Sequence, residues 1–261
     1  MKNRKAGIFA AGMVLATIIF IVTAWFAFST TNKNVATEIE LLPILTSIYN
    51  EQDRFSLYIE ETKKLAASQA FHIIAKNGAV EKKSACKIEP ETHLPIWNLE
   101  CKPETEYIKK AFLEEFNKSF DFLIKSYPNE KLRQNYTHIF NEQENIIISK
   151  NEPATIEIEK KGIFVNYDII LSKEQTINTK LEEQGIYLND FLKIYDKIME
   201  EKSKCNENED CFKNLNFENW NVKVEKQNNY YFFNLKTKRA FFFIENNNIK
   251  FEPIKLEFIL E

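Results

Sequence analysis

The sequence predicts an α+β protein: an N-terminal transmembrane helix followed by helices packed on a mostly antiparallel β-sheet. Three observations predict it. Residues Ala6 to Phe28 carry no charged side chain. Over Thr37–Lys76 and again over Glu104–Tyr127 the apolar residues recur at helical spacing. Beyond Asn145 the spacing falls to two, punctuated by Gly- and Asn-containing turns, which is the mark of strands.

The apolar run is AGIFAAGMVLATIIFIVTAWFAF, with Thr17 and Thr23 as its polar side chains. At about 1.5 Å per helical residue it is long enough to cross a hydrocarbon core of roughly 30 Å. It exceeds the apolar stretch of a cleaved signal peptide, and Ala27-Phe28-Ser29 is a poor cleavage match. Trp25, Phe26 and Phe28 sit where an interfacial aromatic belt belongs. Lys2, Arg4 and Lys5 precede the span, and the first charges after it are Lys33, Glu38 and Glu40. Positive flanks stay in the cytoplasm, so residues 29–261 are expected outside. The expected organisation is a cytoplasmic tip (1–5), a span (6–28), a juxtamembrane and amphipathic helix (29–78) and an extracytoplasmic α+β domain (79–261). The basic tip with Ala6-Gly7 is also weakly similar to archaeal class III pilin-type leaders, although the helix lacks an acidic residue. Gly7/Ala11 and Gly12/Ala16 are small-xxx-small pairs of the kind that lets helices approach.

All 38 acidic residues lie beyond the span, against 32 of the 35 basic ones, so the exported part carries a formal charge of −6. A mildly acidic, mixed surface argues against nucleic acid and against an anionic membrane surface as partners. The four cysteines fall as two local pairs, Cys86 with Cys101 and Cys205 with Cys211. In an oxidising exterior such pairs read as disulfides, and local pairing is favoured among the three possible connectivities because each pair brackets one expected loop. Zinc is disfavoured, since Cys86, His93 and Cys101 lack the short Cys-x2-4-Cys spacing. Asn117-Lys-Ser119 and Asn135-Tyr-Thr137 are glycosylation sequons on the side where they could be used.

Taken in order, Leu41, Leu42, Leu45 and Ile48, then Phe55, Ile59, Thr62, Ala66, Ala70 and Ile73, give a helical stripe from Thr37 to Lys76. Pro43 is placed to kink it, and Gly78 sits at its C-terminal cap. Pro90, Pro95 and Pro103 mark a loop around the first cysteine pair, with Trp97 expected over the disulfide. A second helix is expected from Glu104 to Tyr127 on Ile108, Phe112, Phe116, Phe120, Leu123 and Tyr127. A short helix over Lys131–Asn141 would turn Tyr136, Ile139 and Phe140 inward. Asn145–Ser149 reads as a strand, and Ala154–Glu159 and Ile163–Leu171 read as a hairpin about Lys160-Lys161-Gly162. A third helix spans Asn189 to Lys204, with Asn189 as N-cap, Leu188 as staple and Phe191, Leu192, Tyr195, Ile198 and Met199 buried. Four strands close the chain: Trp220–Glu225, Tyr230–Lys236, Arg239–Glu245 and Ile249–Leu260. Gln227-Asn228-Asn229 and Asn246-Asn247-Asn248 are the hairpin turns. Tyr230–Phe233 and Phe241–Ile244 are apolar on both faces, as strands covered on both sides are. Lys236, Lys238 and Arg239 read as charged guards against edge pairing.

The sequence contains no His-Glu-x-x-His, Gly-x-Ser-x-Gly, Ser-x-x-Lys or phosphate-cradling glycine loop. His72, His93 and His138 stand apart in sequence, and His72, between Phe71 and Ile73, reads as a structural histidine. No catalytic residue, cofactor or metal is implied. The order of basic tip, anchor, LYIEETKKLAASQAFHIIAKNG, Cys…Trp…Cys loop, phenylalanine helix, hairpin, second cysteine loop and aromatic sheet resembles single-pass, exterior-facing membrane proteins of small-genome archaea. The landmarks of that resemblance are Gly78, Cys86, Trp97, Cys101 and Trp220, and it brings no function with it. The expectation is a membrane-anchored structural or interaction protein of the cell envelope, touching lipid through its N-terminal helix and an envelope protein or polymer through its domain. An envelope hydrolase, a receptor subunit and a pilin-like filament component are the alternatives.

Overall fold

A computed structural model describes residues 50, 53–81, 86–128, 136–141, 146–151, 154–161, 166–173, 176–204, 211–227, 229–246 and 248–261, with side chains left aside for 151–178. The expected span 6–28, the juxtamembrane stretch as far as residue 49, Cys205 and Asn135 lie outside these. Among the described residues no helix is long and apolar enough to cross a membrane. The chain divides into two units, Met1–Leu57 and Tyr58–Glu261. In the first, residues 50 and 53–57 are helical. The second is α+β, with a mixed four-stranded sheet.

Helix α1 occupies residues 58–76 of the second unit. Ile59, Ala66, Ala67, Ala70, Phe71 and Ile74 are buried along one side. The expected cap is present: Gly78 takes φ +68°, its N–H donates to the Ala75 carbonyl at 2.9 Å, and the Ala79 N–H donates to Ile74 at 2.9 Å. This crossed pair is a Schellman motif, which needs a left-handed residue at the glycine position. The Gly78 carbonyl in turn accepts the Trp97 indole N–H at 3.0 Å.

The segment expected as loop contains a strand. β1, Ile96–Trp97, pairs in parallel with the end of β9, Asn248–Leu260. Trp97, expected over the disulfide, stacks on Phe258 at 3.5 Å between ring centroids and meets Tyr195 edge-on. α2 runs Thr105–Lys125 and buries Ile108, Phe112, Phe116, Phe120 and Ile124. The stripe keeps its step of four to Ile124, where three to Leu123 was expected.

The expected short helix over Lys131–Asn141 is corrected. Tyr136–Asn141 is strand β2, and Tyr136 and His138 face inward while Ile139 is exposed. Tyr136, Ile139 and Phe140 satisfy helical spacing by chance in a run too short to separate the two periods. β2 pairs antiparallel with β3, Ile146–Asn151, and β3 with β6, Thr176–Lys180, the last of which the sequence reading did not include. The expected hairpin is there as β4, Ala154–Lys161, and β5, Asn166–Lys173. Its turn, with Gly162, Ile163 and Val165, lies outside the described residues.

α3 spans Asp190–Ser203, with Phe191, Ile194, Tyr195 and Ile198 buried. Asn189 makes no side-chain cap and is itself helical in backbone angles. The four-stranded sheet is ordered β1-β9-β8-β7, with β7 at Trp220–Gln227 and β8 at Tyr230–Glu245. Both expected hairpins are present, β7–β8 and β8–β9. The two strands expected at Tyr230–Lys236 and Arg239–Glu245 are one. Its core face carries Phe233, Leu235, Phe241 and Phe243, and the same face of β9 buries Ile254, Leu256, Phe258 and Leu260. Phe71 of α1 meets Phe191, Trp220 and Phe241 with centroids 5.2–6.1 Å apart, so α1, α3 and the sheet share one core.

Candidate functional site: the two faces of the β8–β9 arm

β8 starts as the central strand and ends as half of a two-stranded arm. Trp220, the first residue of β7, pairs with Thr237, so beyond that point β8 has only β9 beside it. The change coincides with a bulge: Lys236 opposes Lys255 and Ala240 opposes Pro253, leaving Thr237, Lys238 and Arg239 against the single residue Ile254. Extra residues bend a strand and leave backbone groups to be satisfied. Thr237 does this, its hydroxyl accepting the Ile254 N–H at 2.9 Å and donating to the Arg239 carbonyl at 2.7 Å. The Lys238 N–H donates to Asn219, and its ammonium to the Phe217 carbonyl. The basic cluster expected to guard a strand edge thus includes the pins of a bulge.

On the inner face, Phe241 and Phe243 are buried, and His72 of α1 stacks on Phe243 at 4.0 Å and 15°. Where β7 has stopped, a side chain replaces it. Gln69 donates through Nε2 to the Ile244 carbonyl at 3.1 Å and accepts the Ile244 N–H at 2.6 Å. One amide side chain thereby closes both hydrogen bonds that a neighbouring strand would have made.

Beside His72 a cleft of about 210 Å³ opens along the free edge of β9, bordered on the inner side by Lys76, Glu245, Lys250 and Glu252 and on the outer side by Lys255. Glu245 bridges two elements, 2.8 Å from Lys76 and 2.6 Å from Lys250. Hydrogen bonds from Lys250 and Lys76 hold its carboxyl down to about 2. Burial lowers His72 to about 4, outweighing the attraction of Glu245, so its imidazole is neutral at pH 7. His72 Nδ1 is buried without a hydrogen-bond partner among the described residues. β9 borders this cleft, and its outward N–H groups fall on odd residues, as the bond from Ile259 to the Pro95 carbonyl shows. Pro253 removes one of those donors and, with the charged Lys255, guards the edge against an added strand.

The outer face is different. Alternation along the paired strands puts Ala240, Phe242, Ile244, Ile249, Phe251 and Pro253 on it, without a charge among them. Phe242 is 56% exposed, Phe251 60% and Ile249 67%, and the two phenyl rings lie 4.5 Å apart. The expectation that Phe241–Ile244 is covered on both sides is therefore corrected: the odd residues are covered and Phe242 is not. At the base of this face Lys236 and Lys255 stand directly opposite each other, both exposed, and neither forms an ion pair among the described residues.

The other expected site residues fall elsewhere. Cys86 and Cys101 are at bonding distance, S–S 2.04 Å and Cα–Cα 4.9 Å, compatible with the expected disulfide. Cys211 lies 3.8 Å from the Tyr231 hydroxyl, while its expected partner Cys205 is outside the described residues. Asn117 is mid-helix in α2, half-buried, with its Oδ1 buried and without a hydrogen-bond partner among the described residues. His93 is exposed in a turn at φ +58°. Among the described residues no three His, Cys, Asp or Glu side chains are grouped to hold a metal. Ser149 Oγ lies 2.6 Å from His138 Nδ1, the contact a nucleophile and base would make. Ser149 is fully buried, however, and the aromatic rings of Phe116 and Phe120 cover the histidine edge-on. With both groups buried, the pair reads as a structural hydrogen bond.

Sequence reasoning missed Gln69 and Asp190. Asp190, buried at the first position of α3, accepts the Trp220 indole N–H at 3.1 Å and the Asn219 amide at 2.9 Å. An acidic first turn was legible, but not its distant partners. Comparison with known families, curated proteins and solved structures finds no match.

Proposed function

We propose that this chain is a membrane-anchored, extracytoplasmic structural or interaction protein of the cell envelope, held in the bilayer by residues 6–28. The observation that carries the reading is the Cys86–Cys101 pair at disulfide distance. A bond of that kind persists where thiols oxidise, which is the side to which the charge asymmetry around Ala6–Phe28 assigns the domain. The chemistry on the domain favours contact over catalysis. Its titratable cleft is small and bridged by its own ion pairs, and its Ser–His pair is sealed beneath α2. A broad uncharged face lies open.

The test is intact mass of protein taken from membranes of an expressing cell, with and without reductant, together with protease added to sealed cells. The expected result is a mass that rises on reduction and a domain that external protease removes. A domain protected from protease, with Cys86 and Cys101 reacting as free thiols, would overturn the assignment.

A further inference from the structure

We propose that the outer face of the β8–β9 arm rests on the bilayer surface, with Phe242, Phe251 and Ile249 at the acyl-chain boundary and Lys236 and Lys255 on lipid phosphates. The inference rests on the anchored reading above and adds a second, peripheral contact to it. Two features of one face point to lipid.

The first is composition. Six side chains along the arm are apolar, and the exposed ones include two phenylalanines in mutual contact. Aromatic and aliphatic side chains presented together to solvent in this way mark a partner surface or a membrane interface. The second is charge. Like charges directly opposite each other across a ladder repel. Lys236 and Lys255 hold that arrangement next to the apolar stretch without an ion pair among the described residues. An anion placed between them would relieve the repulsion, and a phosphate beside hydrocarbon is what a bilayer surface supplies. The nearest carboxylate along the face, Glu257, accepts a hydrogen bond from Asn234 instead. An acidic net charge over the whole domain conceals this local order.

Tethering makes the contact easy to populate. A chain fixed in a bilayer by its N-terminal segment needs only a weak second interaction to hold its domain down, because that step is intramolecular.

The full chain, with Phe251 replaced by p-benzoyl-phenylalanine, is reconstituted into phosphatidylcholine vesicles with and without phosphatidylglycerol and irradiated. Mass spectrometry then identifies what the probe has captured. The expected capture is lipid, more of it when phosphatidylglycerol is present. Lys236→Glu with Lys255→Glu removes that enhancement, lowering lipid capture on the anionic vesicles about tenfold or more while leaving the neutral ones nearly unchanged. Capture of residues 1–49, of a second copy, or of nothing overturns the proposal, as does an indifferent response to charge reversal. An alkaline carbonate wash separates the two readings. Release of the chain sinks the anchor and this inference with it, whereas retention without lipid capture sinks this inference alone.

Discussion

Gly78→Ala is expected to destabilise the domain by about 2–5 kcal/mol, and the reason can be divided in two. Gly78 holds φ +68°, and an alanine in that conformation costs roughly 1–2 kcal/mol. An added Cβ would also stand 2.3 Å from Pro95 Cγ. Carbon atoms in contact sit at about 3.5–4.0 Å, so the proline ring must retreat by over an ångström. It has little room to do so, because the Pro95 carbonyl accepts the Ile259 N–H at 3.0 Å and β1 begins at the next residue. Overpacking of this sort costs about 1–3 kcal/mol. Gly185 supplies the internal control. It has φ +79°, but its added Cβ would meet the flexible Arg239 side chain at 3.0–3.1 Å, so Gly185→Ala is expected to show the backbone cost alone. Urea unfolding of the full chain, followed by Trp97 and Trp220 fluorescence, measures both. Pro95→Ala in the Gly78→Ala chain should return part of the loss as a non-additive coupling. Equal losses at Gly78 and Gly185, with no coupling to Pro95, would refute the reasoning.

Three other outcomes follow from contacts already described. Asp190→Ala strips a buried and a half-buried donor of their acceptor and is expected to cost about 2–3 kcal/mol, with a changed Trp220 emission in the folded protein. Gln69→Leu leaves the Ile244 N–H and carbonyl unpaired, so amide exchange at Ile244 should accelerate and stability fall by about 1–3 kcal/mol. Burial lowers both His72 and His138 from 6.5 to about 4. The unfolded chain therefore takes up protons first as pH falls. Stability is full above about pH 6.5 and is lost toward pH 4, by up to about 3 kcal/mol per histidine. His72→Phe with His138→Phe should flatten the urea midpoint across that window, and an unchanged slope in the double variant would show that other groups carry it.

Local features of this fold were legible, and distant ones were not. The stripe Ile108, Phe112, Phe116, Phe120 and Ile124 announces the buried face of α2 because its spacing is sustained over more than four turns. Gly78 was readable as a cap because the chemistry of helix ends is local, and the asparagine turns flanking β8 were readable for the same reason. Tyr136–Asn141 was misread because a run of six residues with Tyr, Ile and Phe fits either period. β8 was split in two because its bulge carries Lys238 and Arg239, which look like a chain break until Thr237 is seen closing the ladder. β1 has two residues and a partner near the other end of the chain, so no local pattern could signal it. The same holds at the arm. Alternation placed the phenylalanines on opposite faces, but which face α1 would cover depended on Gln69 and His72, far away in sequence.

The position of β9 carries a consequence for how the domain is made. Among the described strands it comes last in chain order, yet it lies inside the sheet, with β8 on one side and β1 on the other. Until Leu260 has emerged from the ribosome, Trp97 has no Phe258 to stack on and the Pro95 carbonyl has no Ile259 to accept. A nascent chain therefore cannot complete this sheet until β9 has been made. Closure of the short Cys86–Cys101 loop before then would keep β1 shaped for the strand that pairs with it last.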